Sequence, residues 1–312
     1  PPTFCPECRS QRRLAWRNDI SLHNHTCTLC KKLVVTIYSK ESGIIVYCNK
    51  CWWGDGWDSL KYGQDYDSSR SFFEQFQELR LRVPHIALIN DNGIASINCE
   101  YTHDFSFSKN CYMVFVSWYI ENVMYSYFTL AGRDMMDCMN IVDRSEWIYE
   151  CIRCSRDYRV GYSQFCYDSL ESQFMNYSGN CVNCFMCFGL RNKKYNFRNK
   201  QYTKEEYKKI LESYRLDTFS GVKKAQKEYD DFVLNYPHRY VMTHQIVNCT
   251  GDNVSRSKNV RNSFMARKSE NCRYCVMIAD AKDSYDQSNG GELSECYENV
   301  TCDQSSRNFF GI

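Results

Sequence analysis

Three pairs of cysteines near the start of the chain have the spacing of metal-binding knuckles. The first knuckle is Cys5 with Cys8, the second is Cys27 with Cys30, and the third is Cys48 with Cys51. A gap of two residues lets both thiolates of a tight turn reach one tetrahedral Zn²⁺ ion, at about 2.3 Å from each sulfur. A site made only of cysteines leaves no open position for water, so the spacing predicts a structural zinc ion and not a catalytic one.

The segment between the second and third knuckles predicts which cysteines share an ion. Residues 33–38 and 44–47 are rich in Val, Ile and Tyr, and a polar turn containing Gly43 separates them. This pattern is typical of a β-hairpin, and a hairpin with a knuckle at each open end has the geometry of a zinc ribbon. We therefore expect one zinc ion on four ligands: Cys27, Cys30, Cys48 and Cys51.

The first knuckle needs two further ligands. His23 and His25 are the nearest candidates, and with Cys5 and Cys8 they would form a Cys₂His₂ site. The alternative is that both histidines lie on the surface in a polar loop. A competing partition joins the first and second knuckles and leaves the third over. The sequence thus predicts one zinc ion as cofactor and leaves a second one open.

Two basic segments suggest a different kind of partner. Residues 1–32 hold six Lys or Arg against two acids, and residues 191–224 hold eleven against four, with tyrosines interleaved. Such patches can contact nucleic acid, and the N-terminal contacts would be Arg9, Arg12, Arg13 and Arg17. Because the net charge of the chain is only +2, no global field favours polyanions. Solvated basic faces are the competing interpretation.

A period of twelve residues begins near residue 97. It is seen in Ile97-Asn98-Cys99, Lys109-Asn110-Cys111, Glu121-Asn122-Val123, Arg133-Asp134-Met135 and Ser145-Glu146-Trp147, and again in Lys258-Asn259-Val260, Glu270-Asn271-Cys272, Lys282-Asp283-Ser284 and Ser294-Glu295-Cys296. Residues 108–146 and 257–295 share 12 identities in 39 positions, which indicates a long internal duplication. Twelve residues suffice for one coil of a narrow β-solenoid, whose coils rise by about 4.8 Å. Beyond Cys154 the period loosens.

The repeat also predicts the place of each residue in its coil. Asn and Asp suit the corner, because they tolerate the left-handed conformation. The residue after them should point inward, and the residue before them should face solvent. At the inward position the chain uses Val, Met and Trp as well as Cys, which a ligand position would not accept. We therefore expect Cys99, Cys111, Cys272 and Cys296 to be small core residues, with disulfide rungs as one alternative and metal binding, above all at Cys181–Cys187, as another.

The predicted fold class is mainly β: a zinc-ribbon-like head, then duplicated arrays of narrow β-solenoid coils with a helical insert between them. Capping-box patterns begin two helices, at Ser71 with Glu74 and at Thr203 with Glu206. A third helix is expected from about Phe219 to Leu234. The expected segments are a zinc-binding head (1–58), a helix-containing linker region (59–96), a first array (97–190), a helical insert (191–247) and a second array (248–312).

Motifs spread over nearly the whole chain carry a resemblance to a known family. They include Cys5-Pro6-Glu7-Cys8-Arg9, Trp52-Trp53, Tyr62-Gly63, Phe72-Phe73-Glu74-Gln75-Phe76, Lys109-Asn110-Cys111-Tyr112, Gly189-Leu190-Arg191-Asn192-Lys193-Lys194-Tyr195 and Lys282-Asp283-Ser284-Tyr285-Asp286. They resemble an uncharacterised family, with a zinc ribbon and Cys-rich repeats, from candidate-phyla bacteria and giant DNA viruses. Its members are described as zinc-binding proteins or as coenzyme A transferases. In that family a further helical unit closes the second array, which implies that this chain is a piece of a longer protein.

These patterns together predict a non-catalytic structural or interaction protein. No P-loop, dinucleotide fingerprint or nucleophile–base pair stands out in the sequence, so we expect no enzyme and identify no small-molecule substrate. The expected partners are other proteins in a large assembly such as a virus particle; a nucleic-acid-binding zinc protein is the alternative. No apolar run is long enough to span a membrane, and no signal-peptide pattern is visible, which favours an intracellular or virion location.

Overall fold

The computed structural model describes residues 5–9, 11, 20–142, 146, 148–152 and 158–286. The chain divides into two compact units, one formed by Asp19–Tyr236 and the other by Pro1–Asn18 together with Pro237–Ile312. The described chain is mainly β, which confirms that part of the prediction. Its helices are α1 (Asn49–Trp52), α2 (Phe72–Arg82), α3 (Lys204–Ser213) and α4 (Phe219–Val233), besides helical residues 6–9 and two 3₁₀ turns, Lys40–Ser42 and Ser59–Tyr62. No helix among the described residues is both long and apolar enough to cross a membrane.

The head of the larger unit contains two short sheets. Strand β1 (His23–Thr26) pairs antiparallel with β2 (Leu33–Thr36), whereas β3 (Val46–Tyr47) pairs in parallel with β4 (His85–Ile86). The predicted hairpin between residues 33–38 and 44–47 is therefore wrong. The second knuckle is itself the turn that joins β1 to β2, and this shorter connection gives β2 a nearer partner than β3.

Parallel ladders with a twelve-residue register form the first array. One ladder consists of β5 (Ile97–Glu100), β7 (Lys109–Tyr112), β9 (Glu121–Met124), β11 (Arg133–Met136) and β13 (Ile148–Tyr149); the other consists of β6 (His103–Ser106), β8 (Phe115–Trp118), β10 (Tyr127–Leu130) and β12 (Met139–Val142). Ile97 pairs with Lys109, and Lys109 pairs with Glu121. Parallel pairing at the repeat length is solenoid-like, since each repeat lies beside the next one.

A period of three residues operates inside each coil. Asn98, Tyr101, Asp104 and Phe107 all have φ between 52° and 54°, and this left-handed conformation recurs at nearly every third residue through both arrays. The residue after each of them points inward. The inward residues of the first coil are Cys99, Thr102, Phe105 and Ser108, all at most 5% exposed. The predicted corner and inward places of Asn98 and Cys99 are confirmed, and Ile97 before them is 64% exposed.

The register shifts once in the first array and then holds. Met135 pairs with Ile148, thirteen residues on, so the repeat predicted at Ser145-Glu146-Trp147 is one residue out of step. Ser145 and Trp147 themselves lie outside the described residues. Beyond Cys154 the period does not loosen as expected, because Tyr158 pairs with Leu170 and Leu170 with Val182, twelve residues apart in each case.

A helical pair closes the far end of this array. Strands β14 (Gln173–Asn176), β15 (Val182–Phe188) and β16 (Lys194–Phe197) continue the parallel ladder, and β17 (Lys200–Gln201) turns back antiparallel. Helix α3 begins with the predicted capping box of Thr203 and Glu206. From the two helices, Tyr207, Tyr214, Ala225 and Tyr229 pack on the array residues Phe174, Phe185 and Met186.

The second array repeats the same construction in the smaller unit. Its strands are β18 (Thr243–His244), β19 (Gly251–Asp252), β20 (Val254–Ser255) and β21 (Ser263–Phe264), and single bridges continue the twelve-residue register to Arg273 and Tyr285. One coil has eleven residues, since Val247 pairs with Lys258. Gly251 lies in that coil with φ +125°, and a Cβ atom there would lie 1.8 Å from the Ser263 carbonyl oxygen, so no other residue fits.

Both arrays carry the same ladder of corner side chains. In the first array Nδ2 of Asn98 donates to Oδ1 of Asn110 at 3.0 Å, Asn110 donates to Asn122, and Asn122 donates to Asp134. The second array repeats this order, with the members Asn248, Asn259, Asn271 and Asp283. The duplication seen in the sequence thus corresponds to the same hydrogen-bonding pattern in each array.

Candidate metal centre

Four cysteines of the head converge as predicted. The second knuckle occupies the turn after β1, where Lys31 has φ 65°, and the third lies at the start of α1, where Cys48 is the N-cap residue. The sulfurs of Cys27, Cys30, Cys48 and Cys51 all lie within 4.8 Å of one another. The sulfurs of Cys30 and Cys48 are 3.8 Å apart, which is about the separation that tetrahedral Zn–S bonds of about 2.3 Å impose. The group can therefore hold a metal ion.

Backbone N–H groups prepare one of these thiols for a cation. Burial by itself would raise the pKa of Cys27, but N–H groups of Cys30, Cys48 and Leu29 donate to its sulfur and bring the pKa to about 6. The Cys48 N–H lies 3.3 Å from this sulfur. Burial raises the pKa of Cys48, and burial together with neighbouring thiols raises that of Cys51 to about 12. Cys48 and Cys51 therefore keep their protons at neutral pH until a cation replaces them.

A single asparagine joins the metal centre to the first array. Asn49 lies between the two cysteines of the third knuckle, and its Nδ2 is 3.2 Å from the Leu88 carbonyl oxygen and 2.8 Å from Oδ1 of Asn90. Nδ2 of Asn90 in turn donates to the Thr102 carbonyl at 2.8 Å, in the first coil. Sequence reasoning missed this role, because an Asn inside a knuckle carries no signal for a partner forty residues away.

The second predicted zinc site stays a prediction. Cys5 and Cys8 belong to the smaller unit, whereas His23 and His25 are half-buried on one face of β1 in the larger unit. In the part of the chain that the structure describes, Cys27, Cys30, Cys48 and Cys51 form the one group of three or more such ligands with atoms this close. The competing partition joined the first knuckle to the second. In the structure Cys27 and Cys30 instead lie beside the third knuckle, Cys48 and Cys51.

The described array cysteines, apart from the half-buried Cys249, occupy the interior and act as hydrogen-bonding core residues. Cys99, Cys111 and Cys272 are at most 2% exposed, and each thiol lies 3.2–3.3 Å from the carbonyl oxygen two residues before it. Buried serines do the same: Oγ of Ser117 donates to the Phe115 carbonyl at 3.0 Å. The expectation of small core residues is thus confirmed for these three cysteines, and Cys296 lies outside the described residues.

Cys181, Cys184 and Cys187 also face the interior, at 0% exposure. Their thiols point to main-chain carbonyls at 3.3–3.6 Å, and the three do not form one of the close ligand groups among the described residues. The metal alternative for this cluster therefore finds no support.

Arg9, one of the residues predicted to contact nucleic acid, has a different role. Arg9 is only 3% exposed, and its Nε lies 2.6 Å from Oδ2 of Asp286, which is fully buried. Arg9 is thus a structural residue of the smaller unit, which corrects its predicted role as an exposed contact. Arg12, Arg13 and Arg17 lie outside the described residues. In the segment 191–224, Tyr207 and Tyr214 are buried against the array and offer no stacking face.

Comparison with known proteins adds no assignment. The sequence matches no protein-family model and no curated protein. Among solved structures, the chain is similar to a protein from Desulfovibrio desulfuricans G20 described as a candidate acetyltransferase, with 10% identity over 65% of this chain and 67% of that one. The TM-score of 0.14 is too low to carry an argument about fold or function.

Proposed function

We propose that the protein is a non-catalytic interaction scaffold. In this proposal a zinc ion on Cys27, Cys30, Cys48 and Cys51 fastens the head to the first coil, and the two arrays are β-solenoids that present regular outer faces to other proteins of an assembly such as a virus particle. The zinc would supply folding free energy, as closed all-cysteine sites do. Asn49 and Asn90 would transmit this stabilisation to the array.

The observation that carries the proposal is the division of the described coils into a sealed interior and patterned outer faces. Inward positions are filled by small or apolar residues, so the interior offers no room for a substrate. Outward positions form columns that repeat along the ladder. In one column Glu121 pairs with Lys109 at 3.7 Å and with Arg133 at 3.1 Å. In the second array Lys258 and Glu270, at the corresponding positions of the repeat, pair at 3.7 Å.

Exposed apolar side chains support an interaction role over a purely architectural one. Phe107, Tyr119 and Tyr125 are 50–64% exposed on the first array, and Phe72 and Phe73 on α2 are 56% and 66% exposed. The phenylalanine side chains of α2 are thus turned outward, while Gln75 is the buried residue of that helix. Clusters of this kind mark interaction surfaces.

Site-specific photo-crosslinking in the native cell tests this function. The photoreactive residue p-benzoylphenylalanine is placed at the outward Tyr119 or Tyr125, with the inward Phe105, 1% exposed, as the matched control. We expect crosslinked species from at least one outer position and none from Phe105. A protein that runs only at its monomer mass of 37.0 kDa and gives no crosslink from any outer position would contradict the proposal.

A further inference from the structure

Two exposed aromatic rings form a stack on one outer face of the first array. Phe107 and Tyr119 occupy the same place in successive coils, with ring centroids 5.2 Å apart and 7° between the ring planes. They are 54% and 64% exposed. The spacing of the rings follows the spacing of parallel strands, about 4.8 Å, so the ladder itself holds them at stacking distance.

The stack stops at the next coil, where the chain places Ala131. Its φ of 54° matches the 54° of Phe107 and the 59° of Tyr119, so the backbone is the same and only the ring is missing. The residue one coil beyond Ala131 lies outside the described residues. A groove of about 670 Å³ opens at this place, lined among others by Ile97, Phe107, Tyr119, Ala131, Arg133 and Glu146.

Among the described residues, the charges that border the groove balance one another. Lys109, Arg133, Glu121 and Glu146 line it, and Glu121 pairs with both basic residues. These described residues offer a phosphate-bearing ligand no excess of positive charge. A neutral aromatic ring would find the open face of Tyr119 and, around it, paired polar groups that suit a peptide backbone.

We propose that this groove binds an aromatic side chain of a partner polypeptide, which stacks on Tyr119 in the place that Ala131 leaves open. The inference rests on the proposed scaffold function and names the chemistry of its contact. Phe107, Tyr119 and Ala131 follow one another in successive coils, so the partner's ring would lie over Ala131 and stack on Tyr119. The salt-bridged column of Lys109, Glu121 and Arg133 forms the wall beside it.

The test measures binding of small probes to the full chain by saturation-transfer NMR. The probes are N-acetyltryptophanamide, N-acetylleucinamide as an apolar control and AMP as a nucleotide. We expect saturable binding of the tryptophan amide alone. In Ala131→Tyr a ring of the chain itself completes the stack, and we expect binding to weaken by about tenfold, near the upper value for one aromatic stacking pair.

Thermal unfolding and two further variants separate this effect from a loss of folding. Tyr at residue 131 is compatible with the backbone, since Tyr119 and Tyr125 adopt the same conformation with φ 59° and 51°. Thermal unfolding of Ala131→Tyr should therefore match that of the natural chain. Tyr119→Ala should also abolish binding, whereas Tyr125→Ala, which removes a ring 50% exposed in a different column, should leave it unchanged.

Four results would overturn the inference. They are equal binding of the leucine amide, tighter binding of AMP, unchanged binding in Ala131→Tyr, and no saturable binding of the tryptophan amide. Any of these together with intact crosslinking from Tyr125 would remove this site and leave the scaffold function standing. Probe binding without any crosslinked partner would support this site and count against the scaffold function.

Discussion

The side chains of Asn49 and Asn90 meet at 2.8 Å and link the four-cysteine cluster to the first array. Asn49 is held in place by the cysteines on either side of it, because Cys48 is the N-cap residue of α1 and Cys51 lies in its single turn. Next to Asn90, the Ile89 carbonyl accepts a hydrogen bond from the N–H of Phe105, in the first coil, at 3.3 Å. A metal ion on the cysteines would therefore stabilise the first array as well as the head.

Replacing Cys48 by Ser should remove the metal and loosen this connection. Structural zinc sites contribute about 10–16 kcal/mol of apparent binding free energy in small zinc domains, so the head should lose its protection from hydrogen exchange over residues 23–52 and 85–90. Zinc per chain, measured by inductively coupled plasma mass spectrometry, should fall by one. Cys166→Ser, in the array interior, is the control and should keep its zinc. An unchanged zinc content in the Cys48 variant would rule out the assigned ligand set.

Replacing Asn49 by Ala should separate coupling from metal binding. The variant loses the donor to the Leu88 carbonyl and to Asn90, at a cost of about 1–3 kcal/mol for partly buried polar groups left unpaired. Hydrogen exchange should quicken at Ile89 and Phe105 while the zinc content stays constant. Lys50→Ala, at the exposed neighbouring position, should change neither quantity. Loss of zinc from the Asn49 variant would show that this residue supports the ligands themselves.

Zinc affinity should fall steeply as the pH is lowered. The pKa of Cys51 is raised to about 12 and that of Cys48 is also raised, chiefly by burial, so both must release a proton when the metal binds. The Cys27 thiol, with a pKa of about 6, adds a further proton only at more acidic pH. Competition with a chromophoric chelator should show at least about a hundredfold loss of affinity per pH unit below pH 8, tenfold for each proton. An affinity independent of pH would contradict thiol protonation in the free site.

The metal site could be predicted from the sequence, but the strands around it could not. Two knuckles of fixed spacing specify four sulfurs whatever the fold between them. The partner of β3 is β4, some forty residues away, beyond α1 and α2. No local pattern in Val46 or His85 distinguishes that partner from the nearer β2. The capping box at Thr203 was predictable because it is local, whereas Ser71, with the same sequence pattern, makes no capping hydrogen bond.

The sequence shows the twelve-residue period between coils but not the three-residue period within each coil. Asn or Asp recurs in successive coils at one corner, from Asn98 to Asp134, whereas the other corners carry Tyr, Met, Phe, Val or Ala, with Asp at some of them, in the same left-handed conformation. The inward positions likewise mix Cys and Val with Ser, Thr and Gly, so no hydrophobic alternation reveals them. Arg9 was misassigned for a related reason. A basic residue reads as exposed until its partner, Asp286, is brought beside it by the fold.

The corner ladder predicts a difference between two nearly identical substitutions. In Asn110→Asp the side chain keeps its tolerance of the left-handed backbone but can no longer donate to Asn122, so the first array should lose about 1 kcal/mol. Asp134→Asn is the matched control. The Asp134 side chain only accepts from Asn122 within the ladder, and an amide oxygen at this position still accepts that hydrogen bond. Urea unfolding followed at the array should distinguish the two, and equal losses would mean that the ladder contributes nothing.

The interior predicts that serine and cysteine are interchangeable where alanine is not. Oγ of Ser117 accepts from the Thr129 N–H at 3.0 Å, one coil further on, while it donates to the Phe115 carbonyl. Ser117→Ala leaves that buried N–H without its acceptor, which should cost about 1–3 kcal/mol in urea unfolding. Ser117→Cys should cost less, because cysteine thiols elsewhere in the interior make the same contact with the carbonyl two residues before. Ser106→Ala, at an outward position, serves as the control. If the Ala and Cys variants lose the same stability, the many cysteines of the arrays are there for their size alone.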